Sequence, residues 1–387
     1  MIPYGRQSIS EEDIQAVVEV LRSDWLTQGP AVTRFEKAIA DYCGAKYAVA
    51  VANGTAALHL AALAAGFGPG DEVITAPVTF VASANCIVYA GATPVFADID
   101  PQTYCIDPDQ VRRKTTPATR GIIPVHFAGQ PCDMAAIHTI AREKNLTVIE
   151  DAAHAIGASY QVGGETCRVG SCAHSDMTIF SFHPVKHITT GEGGAITTNS
   201  RELYERLCLL RTHGITRDPE RLEKNDGPWY YEQQALGFNY RITDLQCALG
   251  LSQLQRLDRF VQRRRAIVAQ YEAAFAAHPE LIAPYQAESR NSSWHLYVLG
   301  FRSLDRKSVF EVLRRRGLGV NVHYLPVHLQ PYYRDRFGCA AGDCPQAEGY
   351  YQRSLTLPLF PDMTDDDVRY VIDTVFASLD EVRKCTA

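Results

Sequence analysis

The chain has 387 residues, too many for one simple core and enough for a large unit plus a smaller one. Hydrophobic residues make up 46% and charged residues 21%, an ordinary globular composition, and the formal net charge is -6. That mildly acidic balance argues against nucleic acid or an anionic membrane as the main partner, while a small anion can still be met by a few local groups.

No stretch is apolar over the roughly 20 residues that a membrane helix needs. The start, MIPYGRQSISEED, lacks the basic residues and apolar run of a signal peptide, so a cytoplasmic protein is expected. The 11 cysteines include no C-x-x-C pair. Cys167, Cys172 and His174 are close in sequence, but reduced thiols used as small apolar residues explain them better than a metal site does.

In chain order, YAVAV (47–51) reads as a strand and GTAALHLAALAAG (54–66) as a helix ended by Gly66. A Pro-Gly turn feeds a strand at 68–76, and a helix is expected over 79–91. Strands follow at 93–99 and 120–127, a helix at 133–144 and a strand at 146–150. Further strands are expected at 177–182 and 194–198. This alternation predicts an α/β fold with a mainly parallel sheet, in which ligands bind beyond the carboxyl ends of the strands. The Gly/Pro/Asp-rich stretch 214–238 reads as a long loop, and one long helix is expected from about 243 to 277. A small α+β unit follows, with strands at 294–301 and 319–325 and helices near 307–316 and 365–383. The expected division is 1–250 for the large domain and 251–387 for the small one.

Three segments at strand ends carry candidate chemistry. Asn53-Gly54-Thr55-Ala56 opens a helix, where free backbone N–H groups and the Thr55 hydroxyl make an anion site. Asp151 ends LTVIED, followed by small residues and His154, which leaves space for a flat ring against the backbone. Lys186 lies in SFHPVKHITTGEGG (181–194), a polar, Gly-rich loop between two apolar strands, with Ser181 five residues before it. A lysine is reactive only after losing its proton, and a desolvated pocket favours that loss. Amine, carboxylate and anion site together meet the needs of pyridoxal phosphate: an amine for its aldehyde, an anion for its ring nitrogen and donors for its phosphate. A carboxylate about 4 Å from a pyridinium is worth about 4 kcal/mol at an effective dielectric near 20. Phe80, at the expected start of the 79–91 helix, is the candidate lid over the ring. A nicotinamide enzyme is disfavoured, because Gly66-Phe67-Gly68-Pro69-Gly70 precedes a strand rather than a helix.

The segments SDWLTQGP (23–30), ANGTAALHLA (52–61), APVTFVASAN (76–85), GATPVFADID (91–100), VIEDAAHAIGASY (148–160), FSFHPVKHITTGEGGAITT (180–198), RTHGI (211–215) and LGFNYRITDLQCALGLSQL (236–254) run nearly the whole chain. In them the chain resembles the DegT-type nucleotide-sugar aminotransferases, which are fold-type I pyridoxal-phosphate enzymes. The resemblance implies Lys186 as the Schiff-base lysine and Asp151 as the ring-nitrogen partner. It also implies Phe80 stacked on the ring, with Gly54, Thr55, Ala56 and Ser181 at the phosphate and His154 beside the cofactor. Asn239 would reach the cofactor of a neighbouring subunit, which implies a homodimer with shared sites. Tyr4, the segment Asp24, Trp25, Leu26 and Thr27, and the segment Asn321, Val322, His323 and Tyr324 would line the sugar-nucleotide site.

His187 stands where the family pattern leads one to expect Asn. Family members with His in place of the lysine dehydrate sugars, and Lys186 here favours transamination. The PYGRQSIS start and NVHYLPVH (321–328) are most similar to the branch that makes UDP-4-amino-4,6-dideoxy-N-acetyl-β-L-altrosamine, a pseudaminic acid precursor. That implies glutamate as amino donor and a UDP-linked 4-keto-6-deoxyhexose as acceptor. A different DegT-type 4-amino or 3-amino transferase, or a non-catalytic regulator on this fold, are the alternatives.

Overall fold

The computed structural model describes residues 1–386. Seven strands form the central sheet: β1 (Tyr47–Val51), β2 (Glu72–Thr75), β3 (Thr93–Phe96), β4 (Thr119–Ile123), β5 (Thr147–Asp151), β6 (Met177–Ser181) and β7 (Gly194–Thr198). Their order is β1-β7-β6-β5-β4-β2-β3. All neighbours are parallel except β7, which runs antiparallel to both β1 and β6. The strands are short apolar runs buried on both faces, as a sheet sandwiched between helices requires.

The helix Gly54–Ala64 lies under the sheet and is buried almost all round, which explains its Ala/Leu composition. The 79–91 segment becomes helical only at Ala82, so Phe80 sits in the loop before the helix rather than at its start. The expected long helix is two, Asp244–Leu254 and Leu257–Phe275. At the joint, Gln253 Nε2 and the Arg256 guanidinium both bond the buried carboxylate of Asp13, tying the break to the N-terminal helix Glu11–Leu21. The 214–238 loop carries a small ladder, Ile215–Thr216 against Glu232–Gln233.

Beyond Leu257–Phe275, an antiparallel sheet of Leu281–Ile282, Tyr297–Phe301 and Ser354–Leu357 packs with helices Arg306–Arg315 and Asp365–Thr386. Its apolar core runs from Ile267 to Val382 and is separate from the two clusters that flank the central sheet. The 319–325 stretch is a strand only at Leu318–Gly319, which pairs with Ile2–Pro3. That pairing sets Tyr4 against His323, with ring centroids 5.2 Å apart.

Candidate active site

The carboxyl ends of β1, β5 and β6 and the loop after β2 open into one cavity of about 780 Å³. Gly54, Thr55, Ala56, Phe80, Asp151, His154, Ser181 and Lys186 all line it, as do Tyr4 and the whole 321–324 segment. Asp24–Thr27 lies elsewhere. Trp25 borders a second groove with helix Glu11–Leu21, and Leu26 O accepts from Asp244 N. Asn239 is exposed outside the cavity, bridged to Thr212.

Lys186 is held by a tight turn in which its N–H donates to His183 O at 2.9 Å. Burial lowers its pKa from 10.5 to about 8, against the pull of Asp151. At pH 7 the neutral, nucleophilic fraction is therefore roughly 300-fold larger than for a solvated lysine.

Asp151 is 4% exposed. Its Oδ1 accepts from Ala153 N at 3.1 Å and its Oδ2 from Ser83 Oγ at 2.6 Å. Ser83 is in turn 2.6 Å from Thr79 Oγ1. These bonds fix the orientation of the carboxylate, with lone pairs left for a cation in the cavity.

At the anion site Asn53 caps the helix, its Oδ1 accepting from Ala56 N at 2.8 Å. The Ala56 N–H is thus already used, which leaves the Gly54 and Thr55 amides and the hydroxyls of Thr55 and Ser181. A Cβ on Gly54 would lie 2.9 Å from Ser181 Cβ, so only glycine lets the two loops close around a phosphate here.

Phe80 is 58% exposed and Tyr324 stands 6.3 Å from it, forming an aromatic wall. His154 is buried, with Nε2 3.3 Å from Tyr324 Oη and Nδ1 without a partner. His187 points away from the cavity and its Nε2 donates to Ser293 O at 3.0 Å, which gives this side chain a packing role. Sequence reasoning missed Ser83, Thr79, His183, Glu192, Tyr89 and Tyr240, all of which line the cavity. All but Tyr89 lay in segments already singled out, without a role assigned to them. Cys172 Sγ bonds Thr197 O at 3.3 Å and His174 Nδ1 lies 3.1 Å from Tyr160 Oη, so these two do not converge. Among the described residues no group of three His, Cys, Asp or Glu is placed to hold a metal ion, and no helix is long and apolar enough to cross a membrane.

These residues fit pyridoxal phosphate: an aldehyde-reactive amine, a fixed anion, a phosphate cradle that excludes a side chain, and an exposed ring to cover a flat ligand. When bound, the cofactor supplies an electron sink for the carbon that gives up its proton. With it in place, Lys186 would be the residue to take and return that proton.

The model of the DegT/DnrJ/EryC1/StrS aminotransferase family matches residues 7–376. The chain is 45% identical to the spore coat polysaccharide biosynthesis protein SpsC of Bacillus subtilis, over 97% of this chain and 96% of that one. Among solved structures it is similar to the putative sugar aminotransferase Spr1654 of Streptococcus pneumoniae in its PMP form, with a TM-score of 0.92 and 32% identity over 100% and 99% of the two chains. Helicobacter pylori PseC, an aminotransferase involved in the biosynthesis of pseudoaminic acid, aligns with a TM-score of 0.90 and 31% identity over 98% and 99%. The fold is that of the fold-type I enzymes. The chain belongs to the DegT/DnrJ/EryC1/StrS family and is a pyridoxal-phosphate-dependent sugar aminotransferase.

Proposed function

We propose that the protein aminates the C4 keto group of a UDP-2-acetamido-2,6-dideoxy-4-ketohexose, with glutamate as donor, to give a UDP-4-amino-4,6-dideoxy sugar for pseudaminic acid biosynthesis. The observation that carries this reading is the cavity wall built by Tyr4 and Asn321–Tyr324, the segments whose sequence resembles that branch, opposite Lys186. The near-complete alignment with PseC supports it.

In this reading Lys186 holds the cofactor aldehyde and afterwards moves the proton between cofactor and sugar C4. Asp151 pairs with the ring nitrogen, Phe80 covers the ring, and Gly54, Thr55 and Ser181 meet the phosphate, with Ala56 beside it and its N–H held by Asn53. His154 lies beside the cofactor. Asn239 serves the site of a second copy in a cytoplasmic homodimer, for which the adjoining exposed Leu236 and Trp229 offer apolar surface. Trp25 and its neighbours 24–27 join the sugar-nucleotide site only through that second copy.

A second reading, another 4-amino or 3-amino sugar, is favoured by the higher identity to SpsC, a protein of spore coat polysaccharide biosynthesis. The test is a panel of UDP- and dTDP-linked 4-keto and 3-keto sugars with enzyme, cofactor and glutamate, the products identified by mass and NMR. Amination of the UDP-2-acetamido-4-keto-6-deoxy sugar ahead of the others is expected. Preference for a dTDP or 3-keto sugar overturns the first reading.

A further inference from the structure

Arg264, on the helix Leu257–Phe275, is fully buried, yet no carboxylate lies against it among the described residues. Its Nη1 donates to the carbonyls of Trp294 at 3.3 Å, His295 at 3.2 Å and Leu359 at 2.8 Å. Its Nε and Nη2 have no partner. Burial lowers its pKa only to about 10, so it remains a cation at neutral pH. An unpaired buried charge is costly to a fold, and its retention here calls for a reason.

The segment it grips leads to Lys186. Ser293 N donates to Gly129 O at 3.1 Å, Leu296 N to Ala128 O at 3.2 Å and Ser293 Oγ to His154 O at 3.3 Å. Trp294 takes φ +53°, and a Cβ on Gly129 would lie 2.7 Å from Trp294 N, so the approach is as close as backbone allows. His295 thereby lies against His154, with centroids 4.4 Å apart, and 5.6 Å from His187. The Nδ1 atoms of all three imidazoles are buried without partners. Behind the catalytic lysine there is thus a cluster of three imidazoles whose Nδ1 atoms have no partner, and a proton on any of them would place a second cation beside Lys186.

We propose that Arg264 is a positioning residue for the Lys186 site: it clamps His295 against His154, and its uncompensated charge bars protons from the imidazole stack. The groups facing the stack are themselves cationic or neutral. His187 faces Arg264, Lys186 and Arg265; His295 faces His154, Lys186, His187 and Arg264; His154 faces Lys186, His323 and His187. Among the described residues Asp151 is the carboxylate near this group, and it acts on Lys186. Burial first, then these cations, hold all three well below the ordinary histidine range. The geometry agrees with the neutral form: His187 donates through Nε2, so a proton on Nδ1 would be a buried donor with no acceptor. Neutral imidazoles leave Lys186 as the one group of this cluster that carries a proton.

The consequence for catalysis rests on Lys186 as the reacting amine, whereas the titration below is made on cofactor-free protein and succeeds or fails without it. Histidine-labelled wild type and Arg264→Met are followed by NMR from pH 8 to pH 5, with His187→Asn and His295→Asn assigning the signals. Wild type keeps both imidazoles neutral throughout. In Arg264→Met at least one becomes tenfold or more easier to protonate, its midpoint rising by one pH unit or more, and Arg264→Lys restores the neutral state. Unchanged imidazoles in folded Arg264→Met overturn the proposal. If Arg264→Met does not fold, Arg264→Gln takes its place: a midpoint of His187 or His295 raised by one pH unit or more upholds the proposal, and unchanged imidazoles overturn it, as does protonation of either above pH 6 in wild type.

Discussion

Acidification from pH 7 to pH 5 strikes the fold around the site as well as its chemistry. His154, His187, His295 and His323 are each less than 9% exposed, and burial is the first cause holding each below the ordinary histidine range, His323 at about 4. In the unfolded chain each takes a proton near pH 6.5. Through this window the unfolded state binds more protons than the folded one, so stability is fully present above about pH 6.5 and falls as the pH drops. A group that takes no proton in the folded state down to pH 5 removes about 1.9 kcal/mol between pH 7 and pH 5, so the four together remove at most about 7.6 kcal/mol. That is comparable to the whole stability of a typical folded domain. Urea unfolding followed by circular dichroism at pH 7, 6 and 5 measures the loss. His187→Asn takes one proton site out and should shrink the loss by about a quarter. Midpoints that do not move between pH 7 and pH 5 would refute the picture of a neutral buried cluster.

Three further outcomes follow from the site. Covalent capture of the cofactor aldehyde by Lys186 should slow about tenfold per pH unit below 8 and level off above it, because the amine reacts only when deprotonated; stopped-flow absorbance checks the midpoint. Ser83→Ala removes the 2.6 Å bond to a buried carboxylate, and a loss of about 1.5–3 kcal/mol, roughly 10- to 150-fold, is expected in cofactor affinity or kcat/KM; an unaltered enzyme would show that Asp151 is held without Ser83. Gly54→Ala forces a Cβ to within 2.9 Å of Ser181 Cβ and should weaken cofactor binding with little change in melting temperature, measurable by equilibrium dialysis.

The strands of the central sheet were legible because each is an apolar, β-rich run with Asn, Pro or Asp at or soon after its end. Their ends named Asn53, Asp151 and Lys186, and the structure gathers all three around one cavity. The antiparallel turn of β7 was not legible, since a doubly buried strand carries no mark of direction. The break at Gln255–Arg256 has no Gly or Pro to announce it and coincides with contacts to Asp13, some 240 residues away. Ser83 was missed for a related reason: its partner is 68 residues distant, and one hydroxyl in an Ala-rich helix has no local signature. Asn239 and Asp24–Thr27 lie outside the cavity; a sequence motif does not say how far its residues stand from the site in space.

The central claim is that the amine of Lys186 is the one that joins the cofactor. Protein loaded with pyridoxal phosphate, reduced with borohydride, digested and mapped by mass spectrometry tests it directly. A single phosphopyridoxyl adduct on the peptide containing Lys186, absent from Lys186→Ala, is predicted; an adduct on a different lysine, or retained turnover in Lys186→Ala, would contradict it.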